Sequence, residues 1–319
     1  MLEQLKLNNF LVVGRAGLDL YADPPGSEIE SASNFSAALG GSAANIAVAL
    51  AKQGGRTALL TTVSQDAVGR YTLKALSSYG VDTQFIRTVG GEFRNSLAVV
   101  ESRAENCQSV IYRNMAADFQ VTQSDAEAIN YAPYAAIIVT GTSLAQEPSR
   151  SATFKAMKKA RDVGLVLIID IDYRPYSWVS KSEAQQVCLK AAELCDIIVA
   201  NDEEFAVLGG SQGGLRCAED LSASRVVVYK MGPKGSITFA KGNRFETPVF
   251  AVATLKPTGA GDGFMGGFIS GLVAGSTLPD AVRRGAATAA IVVTRVGCSP
   301  AMPSATEVDT FIKHAQDGE

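Results

Sequence analysis

The run Thr258-Gly259-Ala260-Gly261-Asp262-Gly263 sets a carboxylate behind two glycines, at the head of a long apolar stretch. Glycines let a backbone approach a ligand closely, and the first N–H groups of a helix have no intrahelical partner, so this spacing makes an anion site. The helix dipole adds roughly 0.3–1 kcal/mol for a negative ligand. Oriented donors there stabilise the charge on a transferring phosphoryl group. Asp262, in the first helical turn, is expected to be held ionised by the same field and so to be a weak base. Such a base suffices where the acceptor proton leaves late, as in a loose phosphoryl-transfer transition state. A carboxylate at this position also serves as a plain helix cap, and residue chemistry leaves both readings open.

Other chemistries are excluded by what the chain lacks. Its one histidine, His314, lies in the polar C-terminal stretch Phe311-Ile312-Lys313-His314 and is expected to be an inert surface residue of a fraying helix. Ser-His-Asp and Cys-His mechanisms and His-rich metal sites therefore fall away, leaving carboxylate, lysine, tyrosine or cysteine as base. The spacing Gly261-x-Gly263-x-x-Gly266 imitates a dinucleotide fingerprint, but it falls inside the expected helix and no acidic residue closes a second strand about 20 positions on. No G-x-x-x-x-G-K-[ST] run exists, so a P-loop is not expected. Five cysteines without a C-x-x-C pair suggest a reducing cytoplasm rather than a disulfide framework or structural zinc. The first residues, Met1-Leu2-Glu3-Gln4-Leu5-Lys6, show no signal pattern, and the apolar stretch 263–278 falls short of the ~20 residues that span a bilayer. With a net charge of -3 and scattered basic residues, neither nucleic acid nor membrane is an expected partner.

The elements that must position Asp262 follow from hydrophobic pattern. Strand-like runs at 10–14, 58–63, 135–141, 165–171, 196–200 and 225–230 alternate with helical patterns at 42–54, 66–80, 148–163, 182–194 and 202–208. That rhythm predicts an α/β domain with a mainly parallel, doubly wound sheet, and Ile137-Ile138-Val139 and Val166-Leu167-Ile168-Ile169 are apolar on both faces, as central strands must be. A further strand-like run, 248–254, is expected to lead into the helix that carries Asp262. Two stretches, about 18–39 and 95–113, break the rhythm with short strands and no helices. They are expected to form a small β-sheet lid over the C-terminal sheet edge, where open α/β folds bind ligands.

Thr258-Gly259-Ala260-Gly261-Asp262-Gly263-Phe264-x-Gly266-Gly267-Phe268 resembles the C-terminal signature of the ribokinase-like (PfkB) carbohydrate kinases. Gly40-Gly41-Ser42-Ala43-Ala44-Asn45-Ile46-Ala47, with Gly69 downstream, resembles the N-terminal one. The resemblance covers nearly the whole chain and implies one Rossmann-like kinase domain over 1–319. It implies ATP and Mg2+ as cofactors, K+ as in many members, and a homodimer through the lid. It gives Asp262 the part of catalytic base, and Gly259, Ala260 and Gly261 that of an anion hole. Asn201 and Glu204 resemble the family's N-x-x-E motif, with magnesium held through water, although Asn201 and Glu204 also spell a capping box. Lys230, Gly232 and Gly235 resemble the turn under the nucleotide, which a plain hairpin would equally explain. Gly297-Cys298-Ser299-Pro300-Ala301-Met302-Pro303 resembles the loop that encloses adenine and, in many members, helps bind the monovalent cation. On the acceptor side the resemblance points to Asp19, Gly40, Gly41 and Asn45, the last of which could instead be a locally satisfied buried amide.

Three stretches (Gly14 to Tyr21, Asp170 to Pro175 with Trp178, and Gly297 to Pro303) resemble the branch of that family that phosphorylates 5-dehydro-2-deoxygluconate in inositol breakdown. Arginines suit a carboxylate-bearing acceptor because the guanidinium fork pairs two oxygens, and Arg15, Arg113 and Arg174 are the candidates, each also able to form a structural ion pair. Kinases of 2-keto-3-deoxygluconate or fructose are the neighbouring alternatives. A catalytically silent sugar-binding regulator and an NAD-dependent dehydrogenase are alternatives of other classes.

Overall fold

A computed structural model describes residues 2–317. The chain starts in β1 (Asn9–Val13), leaves the body for β2 (Gly17–Asp23) and β3 (Asn34–Gly40), and returns through α1 (Ser42–Lys52) to β4 (Arg56–Ser64). Next come α2 (Ala67–Ser78), the short β5 (Val81–Asp82) and β6 (Ile86–Val89), and a second excursion through β7 (Leu97–Val100) and β8 (Ser109–Tyr112). After α3 (Gln123–Glu127), strands and helices alternate: β9 (Ala136–Thr140), α4 (Ser149–Asp162), β10 (Val166–Asp170), α5 (Lys181–Leu194) and β11 (Ile197–Asn201). Helices α6 (Asp202–Gly209) and α7 (Gly214–Leu221) lead to β12 (Val226–Lys230), and the hairpin β13 (Ser236–Ala240) and β14 (Asn243–Thr247) follows. Three helices complete the chain: α8 (Ala260–Val273), α9 (Leu278–Val293) and α10 (Ala305–Asp317).

The main sheet has the order β14-β13-β12-β11-β10-β9-β1-β4-β5, with β6 also on β4. Only the β12–β13 and β13–β14 pairs are antiparallel. Side chains of β10 alternate between two cores, Leu167 and Ile169 facing α3 to α7, Val166 and Ile168 facing α1, α8 and α9. Burial on both faces explains the continuous apolar runs of the central strands. The six expected strands and five expected helices lie within two residues of these bounds at either end.

The run 248–254 is a correction: it forms no strand. Pro248 directly follows β14 and lacks the N–H that would extend its ladder, so the strand stops at Thr247. The two irregular stretches do form a separate four-stranded sheet, ordered β3-β2-β7-β8. Its inner face, with Tyr21, Ala38, Ala98 and Val100, packs on Cys298, while Val110 and Tyr112 point outward and are exposed.

The glycines of α8 are packing residues. A Cβ on Gly266 would sit 2.4 Å from the Ala49 side chain of α1, and one on Gly267 would sit 2.2 Å from Thr288 of α9. The dinucleotide-like spacing thus marks a helix wedged between two others. Gly266→Val is expected to cost about 2–3 kcal/mol through overpacking, lowering the melting temperature by about 3–5 °C. An unchanged thermal melt would contradict that close packing.

Candidate active site

A cavity of about 270 Å³ opens between the lid and the carboxyl ends of the parallel strands. Arg15 follows β1, Thr142 follows β9 and Asp172 follows β10, and all three line it. β1 lies between β4 and β9, where the strand order turns from one direction to the other, which is where open α/β sheets form a ligand crevice. Further along the same edge, Asn201 ends β11 and Lys230 ends β12.

Asp262 lies on the cavity wall in the first turn of α8. That helix begins at Gly259, whose left-handed φ of 83° only glycine adopts readily, and no side chain caps it. The plain-cap reading of Asp262 therefore does not hold. Its Oδ2 accepts instead from Asn45 Nδ2 at 2.8 Å, and Asn45 Oδ1 accepts from Ser299 Oγ at 2.7 Å. One amide thereby ties α1, α8 and the 297–303 loop together around the carboxylate.

The expectation of a readily ionised Asp262 is also corrected. Burial pushes its pKa up to about 8, with Asp172 and Asp170 adding to the rise and Asn45 and Arg174 opposing it. A helix dipole worth roughly 0.3–1 kcal/mol is too weak to offset that loss of hydration. The outcome suits a base better than the expectation did, because a carboxylate with a raised pKa takes a proton more readily.

Asp170 and Asp172 carry no assigned role in the sequence, yet they sit at the centre. Asp170 ends the apolar strand β10 and Asp172 follows it two residues on, and that placement is the signal that could have found them. Asp172 is held at a φ of 36°, a strained conformation for a residue with a side chain. It accepts from Ser42 Oγ and Thr142 Oγ1 and pairs with Arg174 Nη2 at 2.7 Å. Asp170 is buried and faces Lys230 Nζ at 3.9 Å. The nearby Glu204 forms the capping box with Asn201, each side chain accepting the other's backbone N–H at 2.8 Å, and its Oε1 accepts from Tyr173 N at 3.1 Å. Burial, and then Asp170, push the Glu204 carboxyl up.

Lys230 lies beside the glycine turn, since a Cβ on Gly261 would be 3.3 Å from its Nζ. Gly232 and Gly235 take left-handed conformations in the hairpin turn between β12 and β13, so the hairpin reading describes their geometry.

The acceptor-side residues divide into paired and unpaired groups. Arg15 Nε donates to Ser96 Oγ at 2.6 Å, but its buried Nη2 has no hydrogen-bond partner among the described residues. That nitrogen is 3.7 Å from Asp19 Oδ1, which also lacks one, while Asp19 Oδ2 accepts from Tyr21. Gly41 lines the cavity; Gly40 lies behind it, and a Cβ there would occupy the Asp19 carboxylate. Arg113 is different. Its guanidinium donates to Asp118, Thr142 O and Ser177 and lies 3.9 Å above the Phe119 ring, which is the structural ion pair rather than a free fork.

The sequence model of the pfkB family carbohydrate kinases matches residues 7–305. The chain belongs to that family. As a pfkB carbohydrate kinase it transfers a phosphoryl group to a sugar hydroxyl. A 5-dehydro-2-deoxygluconokinase from Photobacterium profundum is 37% identical over 98% of this chain and 97% of its own length. One from Geobacillus kaustophilus is 35% identical, over 99% and 97%. A double mutant of fructokinase from Vibrio cholerae O395, solved with fructose, ADP and potassium ion, superposes with a TM-score of 0.85 at 28% identity, covering 95% of this chain and 97% of that one. The fold is also that of a putative ribokinase II from E. coli solved with ATP and Mg2+, with a TM-score of 0.86 at 20% identity, covering 96% and 99%. Among the described residues no helix is long and apolar enough to cross a membrane.

Proposed function

We propose that this pfkB kinase, as one domain over residues 1–319, uses ATP to phosphorylate a hydroxymethyl group of a sugar acid, 5-dehydro-2-deoxy-D-gluconate. The observation that carries the sugar-acid reading is Arg15, which lines the cavity and whose buried Nη2 makes no hydrogen bond, with Asp19 Oδ1 3.7 Å away as its one carboxylate neighbour among the described residues. A buried guanidinium donor without a partner is costly, and a ligand carboxylate would satisfy it. Arg174 lines the same cavity and, with its Nη2 paired to Asp172 at 2.7 Å, would share its guanidinium with the ligand carboxylate. The names of the Photobacterium and Geobacillus relatives support the same acceptor.

In this reading Asp262 takes the acceptor proton as the hydroxyl oxygen attacks the γ-phosphorus, the bond from that phosphorus to the bridging oxygen breaks, and ADP leaves. The first-turn N–H groups after Gly259 hold the charge that develops on the phosphoryl oxygens. Lys230 faces the nucleotide phosphates, with Asn201, Gly232 and Gly235 shaping the nucleotide side. Among the described residues no three metal-ligating side chains converge. That fits Mg2+, which commonly keeps several waters and relies on substrate phosphates. Glu204 would meet it through water, and the ion would neutralise phosphate charge. The exposed outer face of the lid, with Val110 and Tyr112, is the proposed homodimer contact, and five unpaired cysteines suit a reducing cytoplasm.

ADP release with ATP and magnesium, measured against 5-dehydro-2-deoxygluconate, 2-keto-3-deoxygluconate and fructose, tests the reading. The first is expected to give the highest kcat/KM. A preference for fructose would overturn the sugar-acid assignment, and sugar binding without ADP release would identify a silent binding protein.

A further inference from the structure

Lys256 has no exposed surface, although it carries one of the most strongly hydrated charged groups in proteins. A buried ammonium ordinarily pairs with a carboxylate. Among the described residues this one instead donates to two main-chain carbonyls, Thr258 O and, at 3.5 Å, Val292 O. Val292 belongs to the last turn of α9, where the helix dipole is negative, and its carbonyl also accepts from Arg295 N at 3.2 Å. Thr258 immediately precedes Gly259, the start of the catalytic helix. The backbone is anchored as well, since the N–H groups of Leu255 and Lys256 both donate to Val293 O. The ammonium thus joins the end of α9 to the turn that presents the anion-hole N–H groups.

Carbonyl oxygens converging in an enclosed space are what replaces the hydration shell of a monovalent cation. The fructokinase solved with potassium ion shows that a relative of this fold binds such an ion. We propose that the Lys256 ammonium is a tethered substitute for a monovalent cation, holding the Thr258–Gly261 turn in its working shape, so that this kinase needs no potassium. Lys256 is then a positioning residue, since it acts on the transferring phosphoryl group through the turn. The inference rests on the kinase reading above. It puts a residue of the chain itself in the place of the potassium ion that the family resemblance suggested.

Turnover is measured at constant ionic strength in tetramethylammonium chloride, whose cation is too large for such a site, and in potassium chloride. The wild-type rate is expected to agree between the two within about twofold. For Lys256→Ala, kcat in tetramethylammonium is expected to fall roughly tenfold to a hundredfold, the effect of a displaced catalytic group. Potassium or ammonium ion is expected to restore much of that loss. A residue that only capped α9 would give a stability loss that no small cation repairs selectively. Activation of the wild type more than about fivefold by potassium would overturn the proposal. So would full activity of Lys256→Ala in tetramethylammonium, or a folded variant that neither ion rescues. Should the variant fail to fold, the wild-type comparison still decides. A wild type that releases no ADP in any salt would instead overturn the kinase reading.

Discussion

Asp262→Asn is expected to lower kcat by roughly 10²–10⁴ with little change in KM, because asparagine keeps the shape and an oxygen for Asn45 but takes no proton. Steady-state kinetics with the sugar acid check this, and an equally active variant would remove Asp262 from the mechanism. Two pH effects accompany it. The wild-type kcat/KM should rise with pH toward a limb near 8, where the carboxyl ionises. Asp172→Asn should move that limb to lower pH, since Asp172 is the charge that most raises it. The folded value of about 8 exceeds the ordinary 3.8, so the group's contribution to stability is complete below about pH 4 and lost as pH rises through 8. Asp262→Asn should therefore melt higher than wild type at pH 8, by about 2–5 °C after discounting for solvent in the cavity, and equally at pH 4.

Arg15→Ala is expected to reduce kcat/KM for the sugar acid by roughly 10- to 150-fold, the equivalent of losing about 1.5–3 kcal/mol in charged hydrogen bonds. Fructose, without a carboxylate, should change by less than about threefold. Arg174→Ala should show the same discrimination with one addition: Arg174 opposes the rise in the Asp262 pKa, so its loss should move the acid limb upward. Arg15 is not among the groups that act most strongly on Asp262, which separates the two arginines in one pH series. Unchanged constants in both variants would overturn the carboxylate reading.

The sheet was legible because its strands are buried on both faces, so that runs such as 166–169 read as strands whatever their neighbours do. The run 248–254 looked like them in composition, but it follows the edge strand β14 and pairs with no strand, which local pattern does not encode. Asp262 was legible as an acidic residue at a glycine-rich helix start. Its protonation was not, because Asp170 and Asp172, which raise it, lie about 90 residues away in sequence. The same distance effect hid the Asn45 contact, formed across 217 residues. Arg113 matched a carboxylate-binding role by type, whereas Asp118, five residues on, claims it in the fold. Lys256 lies two residues before the glycine-rich run that begins at Thr258, and only its complete burial against carbonyls distinguishes it from a surface lysine.

The first two lid strands leave the body through Gly14-Arg15-Ala16 and return through Gly40-Gly41, and these crossings touch: a Cβ on Gly41 would lie 2.4 Å from Arg15 O, which also accepts from Ala44 N at 3.2 Å. Both crossings border the cavity. The junction of that part of the lid with the body therefore coincides with the proposed acceptor site. In the proposed reading a substrate carboxylate held by Arg15 would sit where the lid strands join the body, so a small rotation of that junction would become a larger sweep at the outer strands. Such gearing would let occupancy of the site be felt at the far face of the lid, where a second subunit would rest.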